Sequence, residues 1–214
     1  MALAGEIVVP RKTFPRRENQ HAVVADHVIH RHEVMTGQAV VLPVPIDLIV
    51  ELTYGLTVLY EEIPEEPGRM ILGALFPAER HIVMNSRYLD LFHQVVGPER
   101  FTLAHELGHW IYDADDPDQL TLDVDGGEPS EQYCYHRGNS ELPDDLRIRE
   151  VNANKLASHL LMPEHLLKSV DIDEVLANFR GTATAWGVSK QALQIRLKTV
   201  GMIDDFDVAE LDFD

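Results

Sequence analysis

Ten residues near the middle of the chain, FTLAHELGHW (101–110), constrain it more than any other stretch. His105 and His109 stand four apart, with Glu106 directly after the first. On an α-helix, residues four apart share a face at a separation of about 6 Å, so both imidazoles can turn a nitrogen toward one cation. Glu106 lies one step round the helix, where its carboxylate reaches water on a cation rather than the cation itself. Two neutral nitrogen ligands plus a base beside an open coordination position is the ligand logic of catalytic zinc. Leu103, Leu107 and Ile111 mark a buried face, and Gly108 permits close approach of another backbone. With 11 His in the chain, an HExxH string arises by accident in roughly a few per cent of chains this long. The reading therefore needs support from elsewhere.

A zinc site needs a third protein ligand. The longer string HExxHxxGxxH is not met, because Tyr112 occupies the glycine position and Asp115 that of the third histidine. A later stretch, LRIREVNANKLASHLLM (146–162), is strongly helical and is stopped by Pro163. At about 100° per residue, Glu150, Asn154, Ala157 and Leu161 share one stripe of that helix. Glu150 can complete the ligand set, and Asn154 can accept a hydrogen bond from the outer nitrogen of a ligating histidine, fixing its tautomer. Small Ala157 would let two helices pack closely. His159 falls on the opposite side and reads as structural. Taken alone, Glu150 reads more readily as a solvated carboxylate at the start of an Arg-rich helix.

Three strings in order carry a resemblance: FTLAHELGHW, then E150-x-x-A-N-x-x-A-x-x-L-L-M-P, then WGVSKQALQIRLKTVGMI (186–203). Together they resemble the ImmA/IrrE family of metallo-endopeptidases, and the likeness covers most of residues 20–203. It implies an α+β, zincin-like fold: a small three-stranded sheet packed on an active-site helix and a ligand-bearing helix, with a helical C-terminal segment. It also implies His105, His109 and Glu150 as metal ligands and Glu106 as general base. The implied cofactor is Zn2+, and the same His2Glu set also takes Mn2+ or Fe2+. Members of that family typically cleave a transcriptional repressor, often one encoded nearby, and so switch on a stress response or a mobile element. Two departures stand out. Leu156 replaces the usual phenylalanine, and the roughly 40 residues between His109 and Glu150 are more than is usual, a length that points to an inserted functional loop.

The remaining chain divides into a basic arm (1–19), a metallopeptidase domain (20–170), a helical segment like a helix-turn-helix (171–203) and an acidic tail (204–214). Apolar residues at Val23, Val24, His27, Val28 and Met35 predict a first helix. Pro45 and Gly55 bound a second. LTVLYEEI, RMILGALF and RHIVMN predict three strands. RMILGALF is the expected free edge, to which a substrate peptide adds as a further strand. Residues 113–147 read as a polar loop. Tyr112, Tyr133, Tyr135 and His136 are candidate donors to the oxyanion that develops during peptide hydrolysis.

Charge narrows the alternatives. With 36 acidic and 18 basic side chains the net charge is −18, the wrong sign for a protein that gains affinity by neutralising phosphates. A rival reading makes AWGVSKQALQIRL a DNA-binding helix pair presenting Lys190, Gln191, Gln194 and Arg196. Residues 171–214, however, carry four Lys/Arg against nine Asp/Glu, which argues against direct nucleic-acid contact. A non-catalytic pseudo-peptidase that binds a repressor or toxin partner is the other alternative. The one cysteine, Cys134, cannot form an internal disulfide, and no apolar run is long enough for a membrane span, so the cytoplasm is the expected location.

Overall fold

The computed structural model describes residues 20–65, 70–113, 133–136 and 144–204, with only the backbone for 133–136 and Asp145. The arm at 1–19 and the tail from 205 lie outside the described residues. Helix α1 (Gln20–Thr36) buries Val24, Ala25, Val28, Ile29 and His32, a stripe at helical spacing. Val23 and Met35, expected on the core face, are half exposed instead, as is His27. The helix is turned by one residue so that the branched pair Val28–Ile29 seats in the core, while buried His32 bonds Thr53 Oγ1 through Nδ1 at 2.7 Å. The second predicted helix is one turn of α, α2 (Ile46–Leu48), running into a π turn at Ile49–Thr53 and closing with Gly55 at φ 62°.

Strands β1 (Thr57–Glu61), β2 (Ile71–Phe76) and β3 (His81–Asn85) form where three strands are predicted. A fourth, β4 (Tyr133–His136), arises inside the stretch read as loop. The sheet order is β1-β3-β2-β4, with β1 parallel to β3 and the other pairs antiparallel. RMILGALF is therefore an interior strand rather than an edge, because β4 pairs along the side left open by β3. Its residues Ile71–Leu75 are all buried, as expected of a strand covered on both faces. A register shift against β4 between Ile71 and Ala74 breaks the alternation. Leu72 and Leu75 thus both join the helical core, while Ile71 and Ala74 pack with Val83 and Ile63 on the far face.

Between β3 and the motif helix lie a 3-10 turn (Ser86–Tyr88) and α3 (Leu89–Gln94). Buried Asn85 ties this corner together. Its Oδ1 accepts from the Ile63 and Arg87 amides, and its Nδ2 donates to the Ile63 and Ile71 carbonyls.

Helix α4 (Pro98–Asp113) is buried without interruption from Thr102 to His109. It has the sheet on one side and α5 (Asp144–Leu161) on the other, so it needs small residues at both contacts. A Cβ on Gly73 of β2 would stand 2.4 Å from Thr102 Cγ2, and one on Gly108 would stand 3.1 Å from Ala153 Cα. The closest approach of the two helices is thus Gly108 on Ala153, one turn from the expected Ala157. Gly108→Val drives a branched side chain into helix backbone. It is expected to cost about 2 kcal/mol, lowering the thermal midpoint by about 4–8 °C. Thermal unfolding of the variant beside wild type reads this directly.

After α5 come the short turn α6 (Glu164–Leu167), then α7 (Ile172–Ala177), α8 (Phe179–Trp186) and α9 (Lys190–Thr199). The last segment holds three helices where two are predicted, since Asn178 breaks the first. Ser189 caps α9 through the Ala192 amide at 3.1 Å. Val175, Phe179, Ala183, Leu193 and Leu197 share one core with α1, α4 and α5. Leu156, at the position where phenylalanine is usual, is fully buried in that core.

Candidate metal centre

Close contact at Gly108 brings α5 alongside the histidine face of α4. His105 Nε2 lies 3.0 Å from His109 Nε2. Glu150 reaches both, with Oε2 3.3 Å from His105 Nε2 and Oε1 3.2 Å from His109 Nε2. One ligand atom from each of the three residues lies within 4.8 Å of the others, and all three residues are buried. The outer nitrogens are both engaged: His105 Nδ1 with Asn154 Oδ1 at 3.1 Å, and His109 Nδ1 with Asp113 Oδ2 at 2.9 Å. A proton donated from each Nδ1 leaves a lone pair on each Nε2. Two nitrogen lone pairs and a carboxylate then face one small space, an arrangement that repels itself unless a shared proton or a cation sits among them. These donors suit a divalent metal cation.

Glu106 is fully buried, and among the described residues neither carboxylate oxygen has a hydrogen-bond partner. Burial pushes its carboxyl up to about 8. The Glu150 charge adds to that shift, while His109 and the Leu75 backbone, which falls short of hydrogen-bond geometry, offset it in part. A buried carboxyl group left without a partner is costly.

The family model described as the IrrE N-terminal-like domain, Peptidase_M78, matches residues 54–198. The chain belongs to this family. It is a peptidase family, and the match spans α4, α5 and the whole described sheet. No curated protein matches the chain. A solved structure titled "Mycobacterium tuberculosis transcriptional regulator" is similar to it at 14% identity and a TM-score of 0.48. The alignment covers 83% of this chain and 46% of that one, so the chain spans about half the length of that protein.

Electrostatics around α4 follow from burial and neighbours. Burial lowers His105, favouring the neutral form that a ligand requires. Burial also opposes charge on His109, yet Asp113, Glu150 and Glu106 together raise it well above the usual imidazole range. Burial alone would raise Glu150, but hydrogen bonds and charge from both histidines hold it well below the usual carboxylate range. The carboxylates of Asp113 and Glu150, both bonded to this one imidazole, favour positive charge at that point.

Asp113, which contacts His109, is missing from the set expected on sequence grounds. Its signal lies in the sequence, a carboxylate four residues after His109 on the same helix. The longer zinc string points instead to Asp115, which lies outside the described residues. Of the candidate oxyanion donors, Tyr112 has its hydroxyl 2.7 Å from His21 Nδ1, which joins α4 to α1. Tyr133, Tyr135 and His136 lie on β4, and their side chains are outside the described residues.

His159 faces away from the cluster and meets Arg196, whose Nη2 donates to its Nδ1 at 3.0 Å. Arg196 also donates from Nε to the Met162 carbonyl and is buried, so it is not presented for phosphate contact. Burial, then Arg196, His21 and Lys155, hold His159 at about 4, with Glu164 opposing. With the folded value below the unfolded one, the unfolded chain binds more protons between about pH 4 and 6.5, and this contribution to stability is lost as pH falls through that window. After allowance for solvent screening, the loss from pH 7 to 5 is about 1 kcal/mol, or about 2–4 °C. His159→Gln is expected to remove that increment from a thermal-unfolding series across pH.

Proposed function

We propose that this chain is a zinc-dependent endopeptidase that hydrolyses a peptide bond in a protein substrate, a transcriptional repressor, as a regulatory switch. The observation carrying the reading is the convergence of His105 Nε2, His109 Nε2 and the Glu150 carboxylate beside the orphaned carboxylate of Glu106. His105, His109 and Glu150 would hold the cation, with Asn154 orienting His105. Zinc suits this set best, and Mn2+ or Fe2+ are its other candidates. When bound, such a cation polarises a peptide carbonyl and makes water acidic near neutral pH.

Glu106 takes a proton from the attacking water and delivers it to the leaving amine nitrogen. Its dry setting lets it hold that proton between the two transfers. The substrate adds in extended form to the outer side of β4, the sheet edge that lies against α4. Residues 20–170 form the peptidase unit, and 171–203 its helical extension. Among the described residues no helix is long and apolar enough to cross a membrane. A cytoplasmic site of action accords with the single cysteine. A repressor substrate rests on the habit of the family.

The test is terminal-labelling mass spectrometry of a cell lysate treated with zinc-loaded protein or with its Glu106→Gln variant. New amino termini made by the wild type alone support the proposal. None, from protein with a filled site, would sink it and leave the non-catalytic binding reading in its place.

A further inference from the structure

The two histidines of the cluster are held by unlike partners. His105 leans on the neutral amide of Asn154, His109 on the carboxylate of Asp113. Asp113 ends α4 with a side chain only 11% exposed, and its second oxygen, Oδ1, lies 3.9 Å from Arg149 Nε on α5. Arg149 immediately precedes Glu150, so adjacent residues of α5 engage the His109–Asp113 pair from two directions.

From this geometry we infer that Asp113 is a positioning residue of the metal centre, one that admits a single tautomer of His109. The inference rests on the metal-centre reading above. A neutral imidazole carries one proton, on Nδ1 or on Nε2. An ionised carboxylate accepts and never donates, so beside Asp113 the proton must sit on Nδ1 and the lone pair on Nε2, facing His105 and Glu150. An amide at 113 could turn over and donate to Nδ1, placing the proton on Nε2 and removing a ligand. The carboxylate also pushes electron density into the ring, making His109 the stronger nitrogen donor of the two. Arg149 gives Asp113 a counter-charge and keeps its other oxygen turned toward α5, where Glu150 must arrive.

The test is Zn2+ affinity, by competition with a chromophoric chelator, for wild type, Asp113→Asn and Asp113→Ala. Thermal unfolding in excess chelator and the visible absorption of the Co2+-loaded proteins run alongside. Affinity is expected to fall about 10-fold in the isosteric Asn variant and on the order of 10- to 100-fold in the Ala variant. The Co2+ bands should shift in both. A role in packing alone would lower the thermal midpoint in chelator and leave the affinity of the folded protein within twofold of wild type. That result overturns the inference while the metal centre stands. A wild type that takes up no Zn2+ overturns the metal centre, and this inference with it.

Discussion

Glu106→Gln is expected to take up zinc as the wild type does and to lose hydrolysis by a factor of about 100 to 10,000, the usual worth of a positioned general base. Glutamine keeps the volume and planarity of the side chain, so α4 and the ligand histidines stay in place. It cannot accept a proton at neutral pH and return it. The substitution carries a second signature that a packing residue would not show. The Glu106 carboxyl is pushed up to about 8, chiefly by burial, so in metal-free protein the folded state holds its proton more tightly than the unfolded chain. Its contribution to stability is full below the unfolded value and is lost as pH rises through about 8. Relative to wild type, the metal-free Gln variant should therefore gain thermal stability as pH rises, by a few degrees at pH 8–9. Thermal scans in chelator at pH 6 and pH 9, with hydrolysis assayed on any substrate cleaved by the wild type, check both halves. Retained turnover would remove Glu106 from the mechanism.

Glu150→Gln is expected to be the mirror image, losing the metal. Glu150 alone supplies an anionic ligand to the three-residue cluster, and both of its oxygens lie within 3.3 Å of the ligand nitrogens. An amide in its place offers one neutral oxygen and directs N–H groups at the same space. Affinity should fall by more than the roughly 10- to 100-fold that loss of an outer hydrogen-bond partner costs. Elemental analysis should find about one zinc per wild-type chain and far less in the variant. The thermal midpoint gives an independent measure. A ligand at 100 times its dissociation constant stabilises by about 2.7 kcal/mol, so added zinc should raise the wild-type midpoint by about 5–10 °C and leave the variant nearly unmoved. Equal zinc content in the two proteins would mean that another residue completes the site.

Residues that share a helix are legible in the sequence alone. His105, Glu106 and His109 follow from the 3.6-residue period, and Asp113, four further on, is equally open to that reasoning. Glu150 and Asn154 are legible as a stripe, but nothing local says which neighbour a stripe will face. Three strands are legible one by one, and their order is not. Tyr133–His136 is a short run in a polar stretch, and only pairing along β2 makes it a strand. Without it, β2 reads as an edge. Arg196 likewise resembles a cation on a recognition helix, since its bonds to Met162 and His159 span more than 30 residues of chain.

The sequence by itself determined the geometry inside the motif helix, the carboxylate beside the two histidines and the acidic balance of the whole chain. Backbone period and composition set these, and neither depends on what else is nearby. Tertiary structure decided which carboxylate meets the histidines, how Asp113 and Asn154 hold them, which strands form the sheet edges among the described residues and which cation is spent in the core. Each of these depends on how closely two elements can approach. At the centre that distance is set by the missing side chain of Gly108 against Ala153, a contact between residues 45 apart in the chain.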